Sequence, residues 1–84
     1  MAEQEPDITG LVEAIVTSLV DEPEQVRVAS SEQDGSLVVE IHVASDDTGK
    51  VIGRQGRIIK AIRTLARASA SYTGGQHIEV EVVD

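Results

Sequence analysis

From Asp7 onward the apolar positions Ile8, Leu11, Val12, Ile15, Val16 and Leu19 recur every three or four residues. That spacing gives a helix one apolar stripe. Asp7 suits the N-cap position, Gly10 weakens the helix slightly, and Pro23 bars continuation past Val20. The pattern then changes to alternation. Gln25–Ser31 places Val26 and Val28 on one face. Leu37–Ala44 points Leu37, Val39, Ile41 and Val43 inward, with Val38, Glu40 and His42 on the other side. The intervening SEQDGS carries Asp34-Gly35, which suits a tight reversal, so the two runs read as an antiparallel hairpin.

Ser45-Asp46-Asp47 supplies an N-cap followed by acids in a first turn, both favourable to a helix start. A helix from about Asp46 to Ile52 is predicted, two turns long because Gly53 stops it. Gly53-Arg54-Gln55-Gly56 forms a loop. A longer helix then runs from Arg57 to about Tyr72, ended by Gly74-Gly75. His77–Val83 alternates again, with Ile78, Val80 and Val82 on one face and Glu79 and Glu81 on the other. The order is α-β-β-α-α-β: an α+β fold with three helices on one face of a three-stranded sheet. Residues 1–6 read as a flexible N-terminal tail and residues 7–84 as a single domain. On the long helix, Ile58, Ile62 and Leu65 are expected to pack on the sheet, with Ile59, Ala66 and Ala70 beside them. That apolar arc is wider than one sheet contact requires, leaving part of it for a groove or a partner.

Composition narrows the function. Eighty-four residues make one small domain that buries roughly 60–65% of its unfolded surface. The 40% hydrophobic content includes no Phe, no Trp and one Tyr, which supports an aliphatic core but offers no aromatic platform for bases. With no cysteine, disulfides and thiolate metal sites are excluded. The acidic start MAEQEPD is unlike a signal peptide and no apolar run approaches a membrane span. The expectation is a soluble cytoplasmic domain.

Charge changes the picture most. The chain is formally −8, yet Thr48–Ser71 holds six of its seven basic residues and no acidic one. Elsewhere Arg27 alone faces 15 carboxylates. Soluble surfaces normally intersperse their signs, so this segregation reads as a footprint for an anion. The two glycines of the loop permit backbone angles closed to other residues. The helix starting there directs free N–H groups and its positive dipole end at the loop. Lys50, Arg54 and Arg57 add charge beside it, and all of these favour phosphate. Lys60, Arg63 and Arg67 share one side of the long helix. The outer sheet face, with Glu40, Glu79 and Glu81, repels a polyanion, so nucleic acid should approach from the helical side.

Val51-Ile52-Gly53-Arg54-Gln55-Gly56-Arg57-Ile58-Ile59-Lys60-Ala61-Ile62 resembles the KH domain signature V-I-G-x-x-G-x-x-I-x-x-I. The KH loop clamps the backbone of about four nucleotides of single-stranded nucleic acid. A lone G-x-x-G would carry nothing; here it lies between two predicted helices with aliphatics at the flanking offsets. The element order resembles the type II arrangement, with three helices on a three-stranded mixed sheet. Over residues 7–84 the chain is similar to the small stand-alone bacterial KH proteins of the KhpA (YlqC) group. That resemblance implies a single-stranded RNA-binding protein, an RNA chaperone or post-transcriptional regulator acting in the cytoplasm. It further implies a homodimer, or a heterodimer with a second KH protein, KhpB (Jag). Carried over by position, Gly53, Arg54, Gln55 and Gly56 would contact phosphate and sugar, and Lys50, Arg57 and Lys60 would add charge. Val51, Ile52 and Ile59 would form an apolar groove for bases. Many KH loops carry a second basic residue where this chain has Gln55; a dimer would compensate through avidity.

Other readings weigh less. Arg63 and Arg67 read equally well as a solvated face. Asp46-Asp47 lacks the spacing of a calcium loop and reads as capping. His42 and His77 have no ligand-spaced partner, and Tyr72 reads as packing. Gly49-Lys50 lacks the rest of a P-loop. No nucleophile–base pair is visible, so neither a metal, a cofactor nor an enzymatic activity is expected. The competing reading is an interaction module in which the apolar side of the long helix forms a dimer and RNA contact is secondary.

Overall fold

The computed structural model describes residues 7–70 and 77–83. The predicted tail at residues 1–6, Tyr72 and the Gly74-Gly75 helix stop lie outside the described residues. Helix α1 spans Ile8–Leu19, and the Asp7 side chain accepts the Gly10 N–H at 2.9 Å. One line of its apolar stripe, Ile8, Val12 and Val16, is buried, while Leu11 lies at the fringe and is 36% exposed. A single 3-10 turn at Pro23–Gln25 then leads into strand β1, Arg27–Gln33.

Strand β2 covers Ser36–His42 and pairs antiparallel with β1, from Arg27 opposite His42 to Gln33 opposite Ser36. The two-residue turn between them is Asp34-Gly35, both at positive φ (53° and 83°). That is the backbone twist a right-handed hairpin demands. The strand bounds differ from those expected because Pro23–Gln25 is taken up by the 3-10 turn. Val26, one residue ahead of β1, is nevertheless buried.

Strand β3, His77–Val83, lies parallel to β2 on its other side, with Val39 opposite Val80 and Glu40 opposite Glu81. The sheet is therefore mixed, in the order β1-β2-β3, and the α-β-β-α-α-β order is that of a type II KH α+β fold. The central strand contributes Val39 and Ile41 to the core and β3 contributes Ile78 and Val80. Val38 faces the open side between Ser31 and Glu79, and its neighbours on the central strand still leave it buried.

Two helices depart from the expectation. The segment predicted to start a helix at Asp46 is a 3-10 turn, Ser45–Asp47, and helix α2 is only Thr48–Ile52. Neither start has a side-chain cap, so Ser45 does not cap the helix. Helix α3 runs Arg57–Ala70 and buries Ile59, Ile62, Ala66 and Ala70. Leu65, expected on the sheet, is instead 51% exposed. Ile59, Ile62, Ala66 and Ala70 form the packed line of α3, and Leu65 lies about 100° round the helix from Ala66. Helix α1 packs on β1 and against α3, α3 packs on β3, and α2 sits against α3. The face with Glu40, Glu79 and Glu81 is left open.

Candidate nucleic-acid interface

Gly53 ends α2 at φ 77°, ψ 171°, a region essentially reserved for glycine. A Cβ there would meet Ile58 Cγ1 at 2.6 Å, so Ile58 occupies the space a side chain would need. The chain then makes a 3-10 turn at Arg54–Gly56 with Gln55 left-handed (φ 56°, ψ 26°) and Gly56 at φ 74°. These angles turn the backbone out of α2 and into α3 within four residues.

The corner uses few of its own donors. The Gly53 N–H reaches Gly49 O at 2.8 Å and the Gly56 N–H reaches Gly53 O at 3.1 Å. The Arg57 N–H is taken by Arg54 O. Arg54 and Gln55 are the first two residues of the 3-10 turn, which has no side-chain cap, and N–H groups at that position find no partner within the turn itself. Both residues are exposed, as are Arg57 and Lys60. The Lys60 stem folds back towards the corner, its Cε lying 3.8 Å from where a Gly56 side chain would begin.

The six cations of the basic segment divide into two groups. Arg63 Nε donates to Val80 O at 3.1 Å and Arg67 Nε to Ile78 O at 3.4 Å. Both therefore cover the free edge of β3. Lys50 pairs with Asp47 and with Asp21, each at 3.2 Å. Arg54, Arg57 and Lys60 have no ion pair among the described residues, and these three are the ones gathered at the corner. Of the apolar residues expected in a groove, Ile52 is 37% exposed, whereas Val51 and Ile59 belong to the core. They lie beneath the corner and support it.

Asp47 has a role that sequence reasoning missed. It is 1% exposed, and its carboxylate accepts the Asp21 N–H at 3.2 Å and the Glu22 N–H at 3.1 Å. Burial pushes its pKa up, but the two amides and Lys50 outweigh that and hold it below its ordinary value. Asp47 in turn, with Asp21, raises the Lys50 pKa against a smaller effect of desolvation. The only signal in the sequence was Asp47 three residues before Lys50, which does not name the distant amides. His77, read as having no ligand-spaced partner, has an exposed neighbour, Glu79, at 3.6 Å. Among the described residues no three His, Cys, Asp or Glu side chains are grouped to hold a metal. No helix there is long and apolar enough to cross a membrane.

Known proteins resemble this chain in sequence and in fold. A family model described as KhpA/KhpB, KH domain, matches residues 9–82. The chain is 53% identical over 73 residues to the RNA-binding protein KhpA of Clostridium perfringens, covering 87% of this chain and 96% of that one. It is 45% identical over 73 residues to the RNA-binding protein KhpA of Clostridium acetobutylicum, with the same two coverages. Among solved structures, Era in complex with MgGDPNP and nucleotides 1506–1542 of 16S ribosomal RNA superposes with a TM-score of 0.63 at 24% identity. The match covers 98% of this chain and 32% of that one. A structure of Aquifex aeolicus Era gives the same TM-score at 23% identity, over 99% of this chain and 33% of that one. The chain thus spans about a third of Era, and this likeness concerns the fold alone.

Proposed function

The chain belongs to the KhpA/KhpB family of KH domains, and on that premise we propose that it is an RNA-binding protein that grips single-stranded RNA at the Gly53–Gly56 corner. The family is a non-enzymatic one. The observation that carries the site is the coincidence, at one exposed corner, of the uncapped first-turn N–H groups of Arg54 and Gln55 with three cations that have no ion pair among the described residues. Phosphate needs both, since amides orient the oxygens and cations offset their charge. Arg54, Gln55, Gly56 and Arg57 line the phosphate track and Lys60 flanks it. Ile52 offers an apolar edge to a base, and Gly53, at its positive φ, turns the chain into the corner. Binding is tolerant of sequence, because the described surface supplies backbone contacts in plenty and few groups that read base edges. The protein acts on cytoplasmic transcripts as an RNA chaperone or post-transcriptional regulator.

Replacing both Arg54 and Gln55 with Asp tests the site. Each phosphate neutralised on a single strand contributes about −0.7 to the log–log dependence of affinity on salt, so three cations give a slope of about −2 for the wild type. The double variant should lose binding to a labelled oligouridine in fluorescence anisotropy. Its circular-dichroism melt should stay near that of the wild type, because both side chains are exposed. Wild-type affinity in the variant would remove the corner as the site.

A second reading is favoured by Leu65, half exposed on α3, with Ile58 partly buried two turns earlier on the same side of the helix. There the protein joins a second copy, or a KhpB-like KH protein, through this side of α3, and avidity strengthens a single weak site. Light scattering of the pure chain at micromolar concentration should report a dimer, and Leu65→Glu should report a monomer. A wild-type monomer throughout would exclude the self-association.

A further inference from the structure

Among the described residues Asp47 is the buried charged side chain, and it lies at the entrance to the helix that ends at the corner. The amides it holds belong to the turn after α1, 26 and 25 residues earlier in the chain. Helix α2 has five residues, too few to persist without tertiary support, and it lacks a side-chain cap. Two anchors hold it: Val51, fully buried, and Asp47 immediately before its first turn. Where those two anchors stand decides where Gly53 stands. A buried carboxylate is tolerated only when its acceptor sites are filled by donors and counter-charge. The Asp21 and Glu22 amides and Lys50 Nζ fill them, while Asp21 takes the ammonium from its solvent side.

We propose that Asp47 and Lys50 are positioning residues of the Gly53–Gly56 corner: Asp47 clamps α2 to the Asp21–Glu22 turn, and Lys50 serves Asp47 rather than a phosphate. The consequence for RNA rests on the reading of the corner given above; the clamp itself does not. A phosphate contact adds to the salt dependence of binding, whereas a clamp changes affinity through the shape of the site and leaves that dependence as it was.

The test uses the full chain with Asp47→Asn, Lys50→Met and Lys50→Arg. Without RNA, amide signals of Arg54, Gln55 and Gly56 should shift in Asp47→Asn and Lys50→Met along with those of Asp21 and Glu22. Hydrogen exchange at Gly53 and Gly56 should quicken. Lys50→Arg, which keeps the charge beside Asp47, should restore both. With labelled oligouridine, Lys50→Met should bind more weakly at an unchanged salt slope. Lys50→Met leaves the amide bonds of Asp47 in place and carries the same readouts if Asp47→Asn does not fold. The proposal is overturned if Lys50→Met lowers the slope by about 0.7, the share of one phosphate. It is overturned equally if the variants melt earlier while the corner's amides stay where they were. A wild type that binds no RNA would end the functional reading, and the spectra would still decide the clamp.

Discussion

Gly53 and Gly56 share a positive φ but not the same constraint. At Gly53 the backbone lies where side chains are disfavoured, and Ile58 stands in the way as well. At Gly56 the nearest atoms to an added Cβ are 3.8 Å away, so only the backbone objects. Gly53→Ala should therefore cost about 2–4 kcal/mol, strain and overpacking together, and Gly56→Ala about 1–2 kcal/mol. Urea denaturation of the two variants measures the difference, and equal losses would contradict the role given to Ile58. Both glycines were legible as a turn from the sequence. The Ile58 contact was not, because it crosses the corner and depends on how the two helices meet.

The elements carry the charge pattern into three dimensions. Arg63 and Arg67 lie on α3, yet their bonds end on β3, where they occupy edge carbonyls that otherwise invite another strand. A helical projection places them on a charged face and says nothing of a strand lying beside it. The same projection misjudged the packed face of α3, setting Leu65 on the sheet although Ala66 and Ala70 are the residues buried there. In the sheet, the register sets Glu40 beside Glu81 on the open face. Like charges on neighbouring strands repel, so Glu81→Lys should stabilise the fold by about 0.2–1 kcal/mol in thermal or chemical melts. A destabilised variant would mean that the open face tolerates its acids without strain.

At the scale of the molecule, acids cover the open face of the sheet, while the cations without an ion pair among the described residues gather at the opposite, helical side. A polyanion is thereby oriented before any contact is made. The Asp47–Lys50 pair also gives the fold a pH signature. Asp47 is held below its ordinary value, so its stabilisation is present above the unfolded pKa of about 4 and is lost as pH falls through the lower folded value. Lys50 is raised; its stabilisation is complete below about 10.4 and is lost as pH rises through the higher folded value. The melting difference between wild type and Asp47→Asn should hold level between those limits and shrink under acid, where Asp47 becomes a neutral acid. A difference unchanged at pH 2 would show that the carboxylate's charge plays no part.

Local physics settled a good deal in advance. Periodicity determined which segments are helix and which strand, since one buried stripe or one buried face suffices to select each. Asp34-Gly35 determined the hairpin, and the glycine pair with its flanking aliphatics determined the corner and the family resemblance. Contacts between distant segments decided the rest. Which of six clustered cations remain free depended on carboxylates and carbonyls brought alongside by folding: Asp21 and Asp47 for Lys50, and β3 for Arg63 and Arg67. A charge count along the chain cannot separate the two groups, because its sum contains no distances.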